Sequence, residues 1–270
     1  ATTEISTHSD TLSLHDALSI SGYHITGLMP PAGSPARIAL DWKNSVFPER
    51  FVQGHIGVPE TSGKQDIVPS AISFGDWPNA VKSNTPTFAG VDQGKKIDVI
   101  VGDGKGKILG VHRFDTWTQL SLLIQTMRIS LTVIDSAPEL RAAQAMVQRH
   151  PGRVMLADFS LTRADKKPYI HQPGSARVRI HRSSAMDWTR DLLLVDDVFP
   201  DLPEKERSEL TRQLCASVRT IVEGADGIPR VVWSEGTTPD HLRMAHLYYC
   251  VAADLRVSRT ARIGSKPEGL

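Results

Sequence analysis

The chain has 270 residues, 40% hydrophobic and 23% charged, which is ordinary for a globular protein and long enough to bury a sizeable core. Its formal net charge of +1 excludes binding of a polyanion through overall basic charge, so any such contact must be local. Two cysteines, Cys215 and Cys250, exclude a disulfide framework or a four-cysteine metal site, and no apolar run reaches the roughly 18 residues that span a bilayer. A reducing compartment is expected, with no membrane and no secretion.

Residues 1–21 are polar and lack the basic start and apolar stretch of a secretory signal. They are expected to be a non-native or disordered leader. Residues 22–67 are rich in Pro and Gly and read as an irregular connecting region, and residues 70–81 show no clear period. From residue 87 the pattern sharpens. Residues 87–92 (TFAGVD), 96–101 (KIDVIV) and 107–114 (KILGVHRF) read as three strands, the last two joined by a Gly-rich turn at 102–106. Residues 118–127 carry apolar positions at helical spacing. Residues 131–135 (LTVID) form a buried-type strand, residues 138–150 a helix with Pro138 in its first turn, and residues 153–157 (RVMLA) another strand. Strand, helix, strand, helix, strand argues for parallel crossovers after an antiparallel meander. The expected fold is therefore α/β and ribonuclease H-like, a mixed sheet flanked by helices over residues 86–260. Residues 22–85 would lie before it and residues 261–270 form a tail. Residues 160–184 read as basic and turn-rich. Further on come helices at 188–195, within 204–222 and at 239–255, with a short strand at 229–234.

Three carboxylates carry the chemistry. Asp92 and Asp135 each end a strand, and in this type of sheet those strands lie side by side. Asp240 opens the final helix, in phase with Met244, Tyr248, Val251, Ala252 and Leu255. If that apolar face lies on the sheet, Asp240 reaches the same edge. Close carboxylates repel unless a cation sits between them, and hard oxygen ligands favour Mg²⁺ or Mn²⁺ over zinc. Three acids on two strands and a helix would hold two ions roughly 4 Å apart, one activating water and the other stabilising a leaving 3′ oxygen. Each acid also has a structural reading: Asp92 starting the turn at Gln93-Gly94, Asp135 capping the next helix, Asp240 capping the last.

These residues resemble the nuclease domain of phage large terminase subunits. Gly90-Val91-Asp92-Gln93-Gly94, Val133-Ile134-Asp135 and Asp240-His241-Leu242-Arg243-Met244-Ala245 are similar to that family's three nuclease motifs. Gly22-Tyr23-His24-Ile25 and residues 51–59 (FVQGHIGVP) resemble the end of its ATPase domain, with His55 where the family usually has an acid. The resemblance implies a Mg²⁺- or Mn²⁺-dependent endonuclease that cuts concatemeric double-stranded viral DNA during packaging, with Asp92, Asp135 and Asp240 as catalytic metal ligands. It implies a place in the host cytoplasm and, in the full assembly, a portal and a small terminase subunit as partners. No Gly-x-x-x-x-Gly-Lys-Ser/Thr loop occurs, so the ATPase motor is expected to be absent from this chain.

His241 either joins the metal site's surroundings or is a satisfied, partly buried side chain. DNA-backbone contacts are expected from Lys95, Lys105 and Lys107 around the first hairpin, and from Arg163, Lys166, Lys167, Arg177, Arg179 and Arg182 in the basic stretch. Asp98, Asp103, Asp187, Asp196 and Asp197 are expected to face solvent, and Cys215 and Cys250 to be core. Another ribonuclease H-like enzyme, a Holliday-junction resolvase or a transposase, would keep the same acids. An inactive docking module of the packaging machine is the alternative from a different class.

Overall fold

The computed structural model describes residues 67–160, 168–223 and 229–264, the side chains of 223, 229 and 257–264 excepted. Expectations about the leader, most of the connecting region, Arg163, Lys166, Lys167 and the end of the tail fall outside the described residues. The chain divides into two compact units, Ala1–Ser62 and Gly63–Leu270, and the second contains everything described here.

Its centre is a seven-stranded mixed sheet. The chain lays down β1 (Ser73–Pro78), then the meander β2 (Phe88–Gln93), β3 (Ile97–Gly102) and β4 (Ile108–Phe114). Helix α1 (Trp117–Thr126), β5 (Leu131–Asp135), α2 (Leu140–Arg149) and β6 (Val154–Phe159) follow. Two short strands, β7 (Tyr169–His171) and β8 (Arg177–Ile180), precede α3 (Arg182–Val195), β9 (Val198–Asp201) and α4 (Glu204–Leu214). The chain closes with β10 (Ser217–Glu223), β11 (Pro229–Glu235) and α5 (His241–Gly264). The large sheet runs β4-β3-β2-β5-β6-β8-β7. Strands β2, β3 and β4 pair antiparallel, whereas β2–β5, β5–β6 and β6–β8 pair parallel. Three antiparallel strands continued by parallel crossovers, with the first strand central, is the ribonuclease H arrangement. Strands β2 and β3 are buried along their whole length, so they read as unbroken apolar runs.

Alternation along the strands makes two cores. Ala89, Val91, Val99, Ile134 and Leu156 join the core under α1 and α2. Phe88, Ile100, Val133 and Ala157 face α5. Helix α5 lies along β2, β3 and β5, with α3 and α4 on its other side. It is buried all round from Leu242 to Ala253, Arg243 and His246 included, so the one-sided apolar stripe expected from the sequence is corrected. Gly90 sets the approach: a Cβ there would stand 2.0 Å from Ala245 O and Tyr249 N.

Other elements differ from the sequence reading. Residues 160–184 contain two strands and the start of α3 rather than turns alone. Pro138 precedes α2, which begins at Leu140. Residues 73–78 form a strand paired with β9. Strand β10 follows α4 and pairs with β11 as a separate two-stranded ribbon. No helix among the described residues is long and apolar enough to cross a membrane.

Candidate metal centre

Asp92 lies one residue beyond Val91, which pairs with Ile134 of the parallel neighbour β5, and Asp135 follows Ile134. Adjacent strands are ~4.8 Å apart, so these two carboxylates leave the same sheet end side by side. Both turn toward α5. His241 Nδ1 donates to Asp92 Oδ2 at 2.8 Å, and the Tyr248 hydroxyl donates to Asp135 Oδ2 at 2.9 Å. Asp240 is the residue before α5, and its carbonyl accepts the first helical bond from Met244 N at 2.9 Å. Its side chain is not spent on capping. Oδ2 instead accepts from Ser217 Oγ at 2.8 Å, at the start of β10, with Arg182 Nη2 3.8 Å away. Helix α5 thus supplies one of the acids and a brace to each of the other two.

The electrostatics match that geometry. Burial pushes the Asp92 carboxyl up to about 6; the hydrogen bond and charge of His241 oppose the shift, and nearby Asp135 and Asp240 add to it. Asp135 is raised, chiefly by burial, against the bonds from Ala137 N and Tyr248. His241 is raised chiefly by its hydrogen bond to Asp92. Ligand oxygens on one six-coordinate ion lie at most ~4.2 Å apart, since each bond is ~2.1 Å. Among the described residues the three carboxylates do not gather within 4.8 Å of one another. The donor set, three carboxylates and no thiolate, fits Mg²⁺ or Mn²⁺.

Other residues of the site escaped the sequence reading. Asp98 is buried and pairs directly across from Asp92, with Arg113 Nε donating to its Oδ1 at 2.6 Å; the expected solvent-facing role is corrected. Counting pairs back from the turn at Gly94 would have found it, because opposite residues of an antiparallel pair share a face. Gln93 ties the strand ends together: its Nε2 donates to Asp135 O at 2.6 Å and its Oε1 accepts from Glu139 N at 3.2 Å. Asp103 receives Lys105 N and Lys107 N within its own turn. Asp187 accepts from Arg219 and Trp233, so it anchors the β10–β11 ribbon to α3 rather than facing solvent unpaired.

The basic candidates separate by sheet end. Lys95 is exposed in the β2–β3 turn, at the end that carries Asp92. Lys105 and Lys107 belong to the β3–β4 turn beside Phe88, four residues or ~13 Å from Asp92 along β2. Lys107 Nζ sits 4.1 Å from the Trp77 ring centre. Arg177 and Arg179 share the exposed face of β8, where Arg177 Nη1 donates to Asp158 Oδ2 at 2.7 Å. Arg182 stands at the site itself.

A second polar group lies beneath α5. His246 Nε2 donates to Asp197 Oδ2 at 2.7 Å, Cys250 Sγ is 3.6 Å from the same nitrogen, and all three residues are buried. Solvent exposure expected for Asp197 is thereby corrected; Asp196 beside it is exposed as expected. Arg243 Nη1 donates to His246 Nδ1 at 3.1 Å, and a guanidinium cannot accept. Nε2 therefore carries the proton of a neutral ring and points it at Asp197. A metal ion would need that nitrogen stripped of its proton beside a buried arginine, so these residues form a satisfied network rather than a cation site. Burial pushes the Cys215 thiol up to about 11 and the Cys250 thiol well above its ordinary value, so neither is a ready nucleophile.

No protein-family profile matches the chain, and no curated protein matches it. Solved structures similar to it include two of the large terminase nuclease from thermophilic phage G20c. The one with bound magnesium aligns at 12% identity and a TM-score of 0.47, over 72% of this chain and 98% of that one. The other aligns at 12% identity and a TM-score of 0.42, over 67% and 94%.

Proposed function

We propose that this chain is a divalent-metal-dependent endodeoxyribonuclease, the nuclease part of a phage large terminase that cuts concatemeric double-stranded DNA during packaging. The observation that carries the reading is the convergence of Asp92, Asp135 and Asp240, from two parallel strands and a helix start, on one end of the ribonuclease H-like sheet. The sequence resemblance at those three positions supplies the terminase assignment. The work would be done in the host cytoplasm, with the portal and the small terminase subunit as partners in the assembly.

When bound, a pair of Mg²⁺ or Mn²⁺ ions supplies a water nucleophile at neutral pH and stabilises charge on the leaving 3′ oxygen. The residues do the rest. Asp92, whose carboxyl feels the charge of both other acids, would hold the ions together with Asp135 and Asp240. The bonds from His241, Tyr248 and Ser217 hold one oxygen of each acid, and Ala137 N holds the second oxygen of Asp135, which fixes how the carboxylates are turned. Lys95, Arg177, Arg179 and Arg182 contact backbone phosphates, which favours binding with little sequence preference. In-line attack leaves 5′ phosphate and 3′ hydroxyl ends.

Nicking of supercoiled plasmid tests this reading. Cleavage is expected with Mn²⁺ or Mg²⁺, none in chelator, and none for Asp92→Ala with unchanged circular dichroism. Metal-independent cleavage, or full activity in Asp92→Ala, refutes it. Preference for four-way junctions over linear duplex would move the assignment to a resolvase.

A further inference from the structure

We infer that Arg182 is a movable counter-cation of the carboxylate site: it neutralises Asp240 while the metal is away and grips a DNA phosphate once the metal is bound. This rests on the nuclease reading above.

Arg182 is the first residue of α3, and its backbone is fixed by the preceding cap, where His181 Nδ1 accepts from Ser184 N at 3.3 Å. Its side chain is 40% exposed. Nη2 stands 3.8 Å from Asp240 Oδ2, within ion-pair range but too far for a hydrogen bond. The guanidinium carbon lies 5.8 Å from the centre of the Phe159 ring, a cation–π distance. Nε is buried with no partner, and among the described residues none of the five N–H donors makes a hydrogen bond. Arg207 and Arg243 also have a buried Nε without a partner, and Arg207 also lies over a ring, that of Phe74; what sets Arg182 apart is its distance from a carboxylate. Arg177, Arg207 and Arg212 reach carboxylates at 2.7, 2.7 and 2.6 Å.

A guanidinium placed by stacking, with its fork unspent, is prepared for an oxyanion that offers two oxygens, and phosphate is the one DNA provides. Its seat supports this. Phe159 is exposed at the end of β6, 6.2 Å from the Tyr248 ring, and the Tyr248 hydroxyl holds Asp135. Arg182 therefore stands beside Asp240 and next to the aromatic pair that braces Asp135. A cation beside Asp240 opposes a divalent ion on the same carboxylate, so the two roles alternate.

Two measurements on the full chain test this. Mn²⁺ binding is measured calorimetrically without DNA, and duplex binding by fluorescence anisotropy at several salt concentrations with Ca²⁺ replacing Mn²⁺. Arg182→Ala is expected to bind Mn²⁺ about tenfold tighter, the effect of removing one unit charge roughly 6 Å from a divalent ion in near-aqueous surroundings. The same variant is expected to bind DNA more weakly, with the slope of log K against log salt reduced by about one. Arg182→Lys keeps the charge and is expected to restore the wild-type Mn²⁺ affinity. A change in one quantity without the other, or in neither, overturns the inference. If wild type takes up no Mn²⁺, the nuclease reading itself falls. If wild type binds it and Asp92→Ala does not, while Arg182→Ala moves nothing, only the role of Arg182 falls.

Discussion

Asp92 is nearly out of solvent and still faces two other carboxylates. Its folded pKa of about 6 lies above the ordinary 3.8, so the folded protein holds that proton more tightly than the unfolded chain does. The stability of the metal-free protein therefore falls as pH rises from about 4 through 6. His241, also raised, acts in the same direction: what its protonated ring contributes is present at low pH and lost as pH climbs through its folded pKa. Asp92→Asn is expected to stabilise the metal-free protein at pH 8 by roughly 1–3 kcal/mol while abolishing metal-dependent nicking. Urea unfolding in chelator checks it, and an unchanged or lowered midpoint counts against it. Mn²⁺ competes with the same proton, so its affinity is expected to drop as pH falls below about 6, which a calorimetric pH series would read. The placement of Asp92, Asp135 and Asp240 toward one end of the sheet was legible in the sequence because each lies at or near the end of a strand or just before a helix. Asp197 and His246 were not, because they lie 49 positions apart and share no linear spacing.

At the scale of elements, α5 organises the site, and Gly90 lets it do so. Any side chain at residue 90 meets the backbone of α5, which cannot give way as a flexible side chain would. Gly90→Ala is expected to cost about 3 kcal/mol and to displace Asp240 from Asp92, so Mn²⁺ affinity should fall along with the unfolding midpoint. Wild-type values for both would show that the helix docks otherwise. On its other side α5 carries the Arg243–His246–Asp197 chain. Asp197→Ala removes the acceptor of the His246 proton and one of the carboxylates whose charge acts on the buried arginine. A loss of about 3–5 kcal/mol in urea unfolding is expected, with residual Mn²⁺ binding in the folded fraction. The meander and the crossovers were legible because their apolar runs are bounded by turns. Strands β7 and β8 were hidden: they are three and four residues long, and the exposed-buried alternation of Arg177–Ile180 reads first as a cluster of cations. The all-round burial of α5 was hidden for a related reason, since Arg243 and His246 mimic a polar face that the fold encloses.

For the molecule as a whole, a net charge of +1 leaves the proposed DNA binding to the arrangement of cations rather than to their number. Sheet direction does the arranging. The parallel strands deliver Asp92 and Asp135 at their carboxyl ends, and the same end carries Lys95, Arg179 and Arg182, while Lys105 and Lys107 are turned to the far end. If four cations, Lys95, Arg177, Arg179 and Arg182, each displace one counterion, log K for a short duplex should fall against log salt with a slope of about −3 to −4. Lys105→Ala and Lys107→Ala together are expected to leave that slope unchanged, although they remove as much charge as a double substitution at the active end. Lys95→Ala with Arg179→Ala should reduce its magnitude by about two. Equal effects from the two pairs would mean that DNA follows overall charge rather than the carboxylate end of the sheet. The path of the duplex across the molecule would then have to be redrawn.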